Sequence, residues 1–203
     1  LSRPKCGYAI ASEKGIEYLE LEENKPITTG CQLDGGGIVF GHSNGSVTEM
    51  HEGVCSTVSI GDSAIVAMDC RSGWVVGLDS GVVATSKSLG SWNLESLESI
   101  DVVSFGPSLD DNAGIWYSSW NGKGIIFLVG SSIGSVQLEL SHGSRIVTCF
   151  ANEDTICFGD ISGYIHIIEK EVLRRRFGML TEREDDSGRA SELRRKIRAL
   201  RGA

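Results

Sequence analysis

One glycine-punctuated hairpin signature recurs five times along these 203 residues, and it limits what the chain can fold into. The copies are 8–21 (YAIASEKGIEYLEL), 38–50 (IVFGHSNGSVTEM), 74–85 (WVVGLDSGVVAT), 127–140 (FLVGSSIGSVQLEL) and 156–168 (ICFGDISGYIHII). In each, a Gly or Ala stands four residues before a second Gly: Ala11 and Gly15, Gly41 and Gly45, Gly77 and Gly81, Gly130 and Gly134, Gly159 and Gly163. The second Gly closes a short loop, where a tight hairpin demands positive φ. The first leaves room where the strand meets a neighbouring layer. Runs before the turn, such as Ile38-Val39-Phe40, are continuous and apolar, as in strands buried on both faces. Runs after it alternate, with Val136, Leu138 and Leu140 against Gln137 and Glu139, so they are half exposed. Five such hairpins are a repeat, whose units bury a core only by stacking on one another.

A further strand precedes most copies. Residues 28–33 lead through Asp34-Gly35-Gly36-Gly37 into the second hairpin, 64–69 through Arg71-Ser72-Gly73 into the third, and 115–119 through Asn121-Gly122 into the fourth. Residues 146–150 lead through Asn152-Glu153-Asp154 into the fifth. Each repeat is therefore expected to hold at least three antiparallel strands, the hairpin supplying the second and third. The Gly-rich 34–37 segment runs into strand residues and not into a helix N-terminus or a Lys-Ser/Thr pair, so it reads as a turn and not a phosphate cradle.

Over residues 8–169 this pattern resembles the WD-repeat-like β-propeller family, in which hairpins of this type form the middle strands of four-stranded antiparallel blades. The Gly-His and Trp-Asp dipeptides of that family are missing from their usual places, since Gly41-His42 falls inside a turn. Intervals between second glycines are 30, 36, 53 and 29 residues, against about 40–45 in that family. The resemblance implies an all-β, propeller-like array of three- to four-stranded blades, which need not be complete, that serves as a noncatalytic scaffold. The longest interval holds residues 89–111, expected to form an extra strand around 101–105 and an exposed loop, a natural contact surface on a rigid rim.

Charge divides the chain. Residues 1–169 carry 8 Lys/Arg against 21 Asp/Glu, and residues 170–203 carry 11 against 6. An acidic body argues against a nucleic-acid surface there, while the basic tail keeps nucleic acid as a partner open. The division expected is a propeller-like domain at 1–169 and a basic tail with a C-terminal helix at 170–203. Within the tail, 171–180 suits a closing strand or a short helix. Leu193, Ile197 and Leu200 fall at helical spacing beside Arg194 and Arg195, a narrow apolar stripe that must dock on something.

Catalytic chemistry finds little support. His42, Asp69 and Ser80 occur in the order of a serine-protease triad, but Asp69 and Ser80 are close in sequence and Ser80 sits on the repeat's own turn. His42, His51, His142 and His166 lie in different repeats without metal-ligand spacing, and alternation sets His166 outward between Ile165 and Ile167. No catalytic, cofactor or metal residue is therefore assigned. Trp74 and Trp116 read as core, while Trp92 in the insertion and Trp120 beside a turn read as partner-binding anchors. Cys6, Cys31, Cys55, Cys70, Cys149 and Cys157 form no CxxC pair and read as small buried hydrophobes in a reducing compartment.

These readings converge on a scaffold subunit of a hetero-complex in the cytoplasm or nucleus. It would have protein partners, no membrane span, no cofactor and no small-molecule substrate. The alternative is a nucleic-acid-associated factor that binds through its tail. The partner-binding residues expected are Trp92, Trp120, Leu193, Ile197, Leu200, Arg194 and Arg195.

Overall fold

The computed structural model describes residues 7–13, 15–20, 25–86, 91–93, 98–109, 114–129 and 136–178. Seventeen strands are described, every pairing antiparallel. β1 (Gly7–Ser12) and β2 (Gly15–Glu20) pair with each other. Blade one is β3 (Ile27–Gln32), β4 (Ile38–His42), β5 (Ser46–His51) and β6 (Val54–Ser59). Blade two is β7 (Ile65–Cys70), β8 (Trp74–Leu78), β9 (Val82–Thr85) and β10 (Ser91–Asn93). Blade three is β11 (Ile100–Gly106), β12 (Gly114–Trp120), β13 (Gly124–Val129) and β14 (Val136–His142). Blade four has three strands among the described residues, β15 (Ile146–Ala151), β16 (Thr155–Asp160) and β17 (Ile165–Glu169).

The first strands β3, β7, β11 and β15 stand side by side, each touching the next. Three apolar clusters fill the spaces between consecutive blades. Val39 and Val47 of blade one meet Ile65, Trp74, Val76 and Leu78 of blade two. Val75 and Val83, on the other face of blade two, meet Val103, Phe105, Ile115 and Tyr117 of blade three. Val102, Trp116 and Ile126, on the far side of blade three, meet Ile146, Ile156 and Phe158 of blade four. Sheets stacked face to face around their first strands, each burying an apolar face against the next, make a β-propeller-like fold.

The repeated glycines do what their spacing predicts. Gly45, Gly81 and Gly163 have φ of 77°, 84° and 86° at the loop ends. A Cβ on Gly41 would stand 2.6 Å from Ile65 Cγ2, and one on Gly77 would strike Ile100. Ile65 and Ile100 open the first strands of blades two and three. The missing side chain is thus a notch that seats the following blade.

Polar and covalent links bind the first strands at the same level. Cys31 of β3 and Cys70 of β7 form a disulfide with Cα atoms 5.9 Å apart, which corrects the expectation of free thiols at these two positions. Asp69 of β7 accepts bonds from Ser104 Oγ (2.8 Å) and the Phe105 N–H (2.9 Å) of β11. Cys149 of β15 donates its thiol to the Val103 carbonyl of β11 at 3.6 Å.

Blade three differs from the expected assignment. Residues 101–105 belong to β11, the innermost strand of that blade, and Val102, Val103 and Phe105 are buried. Residues 115–119 then lie in the second strand, and the hairpin signature at 127–140 spans the third and fourth strands, not the second and third. The 53-residue interval therefore supplies β10 and β11 to two neighbouring blades, and its strand portion is core, not a contact loop. Beyond β17 the chain turns helical: α1 (Lys170–Leu173) continues into a π-helical turn (Arg174–Gly178). Leu173 is buried in the cluster between blades three and four. Among the described residues no helix is long and apolar enough to cross a membrane.

Candidate interaction face

Antiparallel partners share a face, so cross-strand register shows which residues line the outer side of blade four. Phe150, Cys157 and Ile167 form one row, and Thr148, Gly159 and Ile165 the next. Counting from the repeated glycines, Ile165 occupies the place of Val47 in blade one and Val83 in blade two. Those valines are each 1% exposed, whereas Ile165 is 73% exposed. Phe150, 71% exposed, stands where Cys31 and Asp69 stand in blades one and two, opposite Val39 and Val75 respectively. Both of those residues link to the next blade. Gly159 repeats the notch of Gly41 and Gly77, but a Cβ there would meet Thr148 of its own sheet. Ile167 is also exposed, and β17 pairs with β16 alone among the described residues, leaving its other edge open. Blade four thus presents the apolar face and the notch that its predecessors use to hold a following sheet, together with a third-strand edge of the kind they pair with their own fourth strand.

Beside this face a cleft of about 640 Å³ runs along the first strands, lined by Asp69, Arg71, Ser104, Phe150 and Glu153 among others. Arg71 donates from Nη2 to the carbonyls of Phe105 (3.0 Å) and Ala151 (2.9 Å), closing one end of the first-strand array.

The histidines are distributed differently from the sequence reading. His42 is fully buried, with Nε2 2.8 Å from Thr48 Oγ1, which in turn lies 2.9 Å from Thr57 Oγ1. Asp69 is engaged with Ser104 and Phe105, and Ser80 accepts from Ser63 at 2.8 Å. The three members of the considered triad therefore each serve a different neighbourhood. His166 points inward, sharing the Phe158 face, and its neighbours Ile165 and Ile167 are the outward pair. The alternation is as read, but the inner and outer sides are exchanged. The side that an apolar rule would bury is the one that no sheet covers among the described residues.

His142 and His166, from separate repeats, converge on one carboxylate. Each Nε2 lies on Asp160 Oδ2, at 3.0 Å and 3.1 Å. Asp160 Oδ1 accepts the N–H groups of Ser162 and Tyr164. Burial works to raise the Asp160 pKa. The bonds from His166 and His142, and then those from the two N–H groups, outweigh it and hold the carboxyl well below the usual carboxylate range. Sequence spacing hides this cluster, because blade stacking alone brings the end of β14 beside the β16–β17 turn. The available signal was the repeat alignment, which gives Asp160 the place of the buried His42.

Of the expected anchors, Trp120 is half-buried at the end of β12. Trp92 lies on β10 opposite Val83. Trp74 and Trp116 are core, the latter donating Nε1–H to the Pro107 carbonyl at 2.7 Å. Leu193, Arg194, Arg195, Ile197 and Leu200 lie outside the described residues.

Stacked antiparallel blades define the class: a β-propeller-like protein. No family model matches the sequence, and no curated protein does. Solved structures share the fold. A chain of the mitotic checkpoint complex superimposes with TM-score 0.60 at 12% identity, over 80% of this chain and 59% of that one. BBS1N, solved in complex with ARL6DN, gives TM-score 0.59 at 13% identity, over 79% and 57%. The computationally designed Ika4 protein gives TM-score 0.57 at 15% identity, over 74% of this chain and 95% of Ika4. The chain therefore spans somewhat over half the length of the first two and nearly all of the third.

Proposed function

We propose that this chain is a noncatalytic scaffold, a divergent relative of WD-repeat propellers, whose fourth blade takes up a β-sheet of another polypeptide in a larger assembly. The observation that carries this reading is the exposure of Phe150 and Ile165 at positions that blades one and two use to hold their successors. The occupant is a sheet with an apolar face, carrying a β-branched side chain over Gly159 as Ile65 lies over Gly41. Covering each of Phe150, Ile165 and Ile167 contributes roughly 1.5–3 kcal/mol. The open β17 edge adds backbone pairing, as edge strands do when they accept a donated strand. Two of the structural neighbours were solved as complexes, which supports protein partnership.

Cytoplasm or nucleus remains the proposed location. The free thiols of Cys149 and Cys157 support it, and the Cys31–Cys70 bond opposes it. Binding of nucleic acid through the tail is the lesser proposal, supported by exposed Arg175 and Arg176 at its start.

A photo-cross-linking residue placed at 150 or 165 tests the docking reading in cells. The reading expects capture of one polypeptide from both positions, with the cross-linked peptides falling in strand segments, and no capture from position 52 in a blade-one turn. Peptides from this same chain would replace the hetero-complex by self-association. Absence of cross-links from both positions would remove the reading.

A further inference from the structure

The cluster at the junction of blades three and four holds three metal-ligating groups within reach of a single ion. His142 ends β14, Asp160 ends β16 and His166 lies in β17. One ligand atom from each lies within 4.8 Å of the other two, and the two imidazole rings meet edge-on with centroids 4.3 Å apart. A tetrahedral ion with bonds of about 2.0–2.1 Å sets its ligand atoms about 3.3 Å apart. The two nitrogen–oxygen separations of 3.0 Å and 3.1 Å already lie near that edge length.

The surroundings hold these groups in place. Asp160 is fixed through Oδ1 by the Ser162 and Tyr164 N–H groups, leaving Oδ2 for the histidines. The segment after His142 is laced to the segment after Asp160 by Ser144 Oγ on Ser162 Oγ (2.8 Å) and the Ile161 N–H on the Arg145 carbonyl (2.9 Å). The carboxylate is buried, while the His142 and His166 side chains are 21% and 37% exposed, so an ion can reach the nitrogens from solvent. Equivalent positions elsewhere carry no such set: blade one has His42 and Thr48 there, and blade two has Leu78 and Ala84.

We infer that His142, Asp160 and His166 form a binding site for a divalent transition ion, zinc above all, pinning the outer strand of blade three to blade four. Two imidazoles and one carboxylate suit zinc and its first-row neighbours, whereas calcium and magnesium demand more oxygen ligands. Three protein ligands leave one position for water or for a side chain of a docked partner. Without metal, both histidines donate Nε2–H to Oδ2. With metal, the same nitrogens face the ion as acceptors and the ring protons move to Nδ1.

Titration of the full chain with Zn²⁺ and Co²⁺ tests this site independently of the docking face. One equivalent should bind, with the visible absorption of tetrahedral Co²⁺ in nitrogen and oxygen ligands, and with paramagnetic shifts at His142 and His166 but not at His51. His142→Gln and His166→Gln keep a hydrogen-bond donor near Asp160 and should each weaken Zn²⁺ binding by at least about tenfold. They should also abolish the rise in melting temperature that Zn²⁺ gives the wild type. If either variant fails to fold, the wild-type spectrum and shifts still decide. Failure to bind one equivalent, thiolate charge-transfer bands, or binding unchanged in both variants would overturn the assignment.

Discussion

Arg71 Nη2 donates to the Ala151 carbonyl at 2.9 Å, joining residues 80 apart in sequence, and to the Phe105 carbonyl at 3.0 Å. One guanidinium thus spans the first strands of blades two, three and four. Charge-assisted bonds to carbonyls contribute about 1.5–3 kcal/mol. Arg71→Met should lower the unfolding free energy by about 2 kcal/mol in urea titrations. Arg71→Lys should recover only part of it, since an ammonium lacks the planar fork.

Gly41 and Gly159 sit at the same repeat position, but only Gly41 faces a following blade. Gly41→Ala should destabilise the isolated chain by about 1–3 kcal/mol by overpacking against Ile65. Gly159→Ala should cost less, because it meets Thr148, an exposed residue of the same sheet. Thermal or urea unfolding of the two variants side by side checks the order.

The Asp101 side chain is buried and pairs with the exposed Arg145, whose Nη2 and Nε lie 2.6 Å and 2.9 Å from Oδ1. Removing the arginine strands a carboxylate. Removing the aspartate only returns an arginine to water. Arg145→Met should therefore cost about 1–3 kcal/mol, and adding Asp101→Asn should recover most of it. A double-mutant cycle measured by urea unfolding checks the asymmetry.

The thiols should react in a fixed order. Burial, assisted by the Asp69 charge and opposed by the Ser104 hydrogen bond, pushes the Cys149 pKa up to about 12. Its thiol therefore stays protonated and unreactive through pH 9, whereas Cys55 is exposed. Iodoacetamide at pH 8 should label Cys55 and spare Cys149, with Cys31 and Cys70 labelled only after reduction. Cleaving that bond, which closes a 39-residue separation, should cost about 4 kcal/mol on the chain-entropy account. Peptide mass mapping and urea unfolding read both outcomes.

Local chemistry was legible and blade membership was not. Gly45, Gly81 and Gly163 announce hairpins because only a positive φ closes those loops. The apolar runs at Val39 and Val75 announce double-sided burial. Blade three misled because its second turn, Trp120-Asn121-Gly122-Lys123-Gly124, lacks the Gly-x-x-x-Gly spacing, while its third turn carries it. The count of strands then slips by one, since β14 is already the fourth strand. His142 and His166 were unreadable as a pair because β-stacking between blades leaves no periodicity in sequence. Alternation puts Ile165 and Ile167 on the core side, because an apolar residue in an alternating strand is assigned inward, and here that side is exposed.

Hydroxyl-radical footprinting of Phe150, Ile165 and Ile167 tests the docking face most directly, comparing the purified chain with the assembly isolated at native abundance. The account predicts rapid oxidation of all three in the free chain and protection in the assembly, with Val54 on β6 unchanged. Equal oxidation of the three side chains in both samples would contradict it.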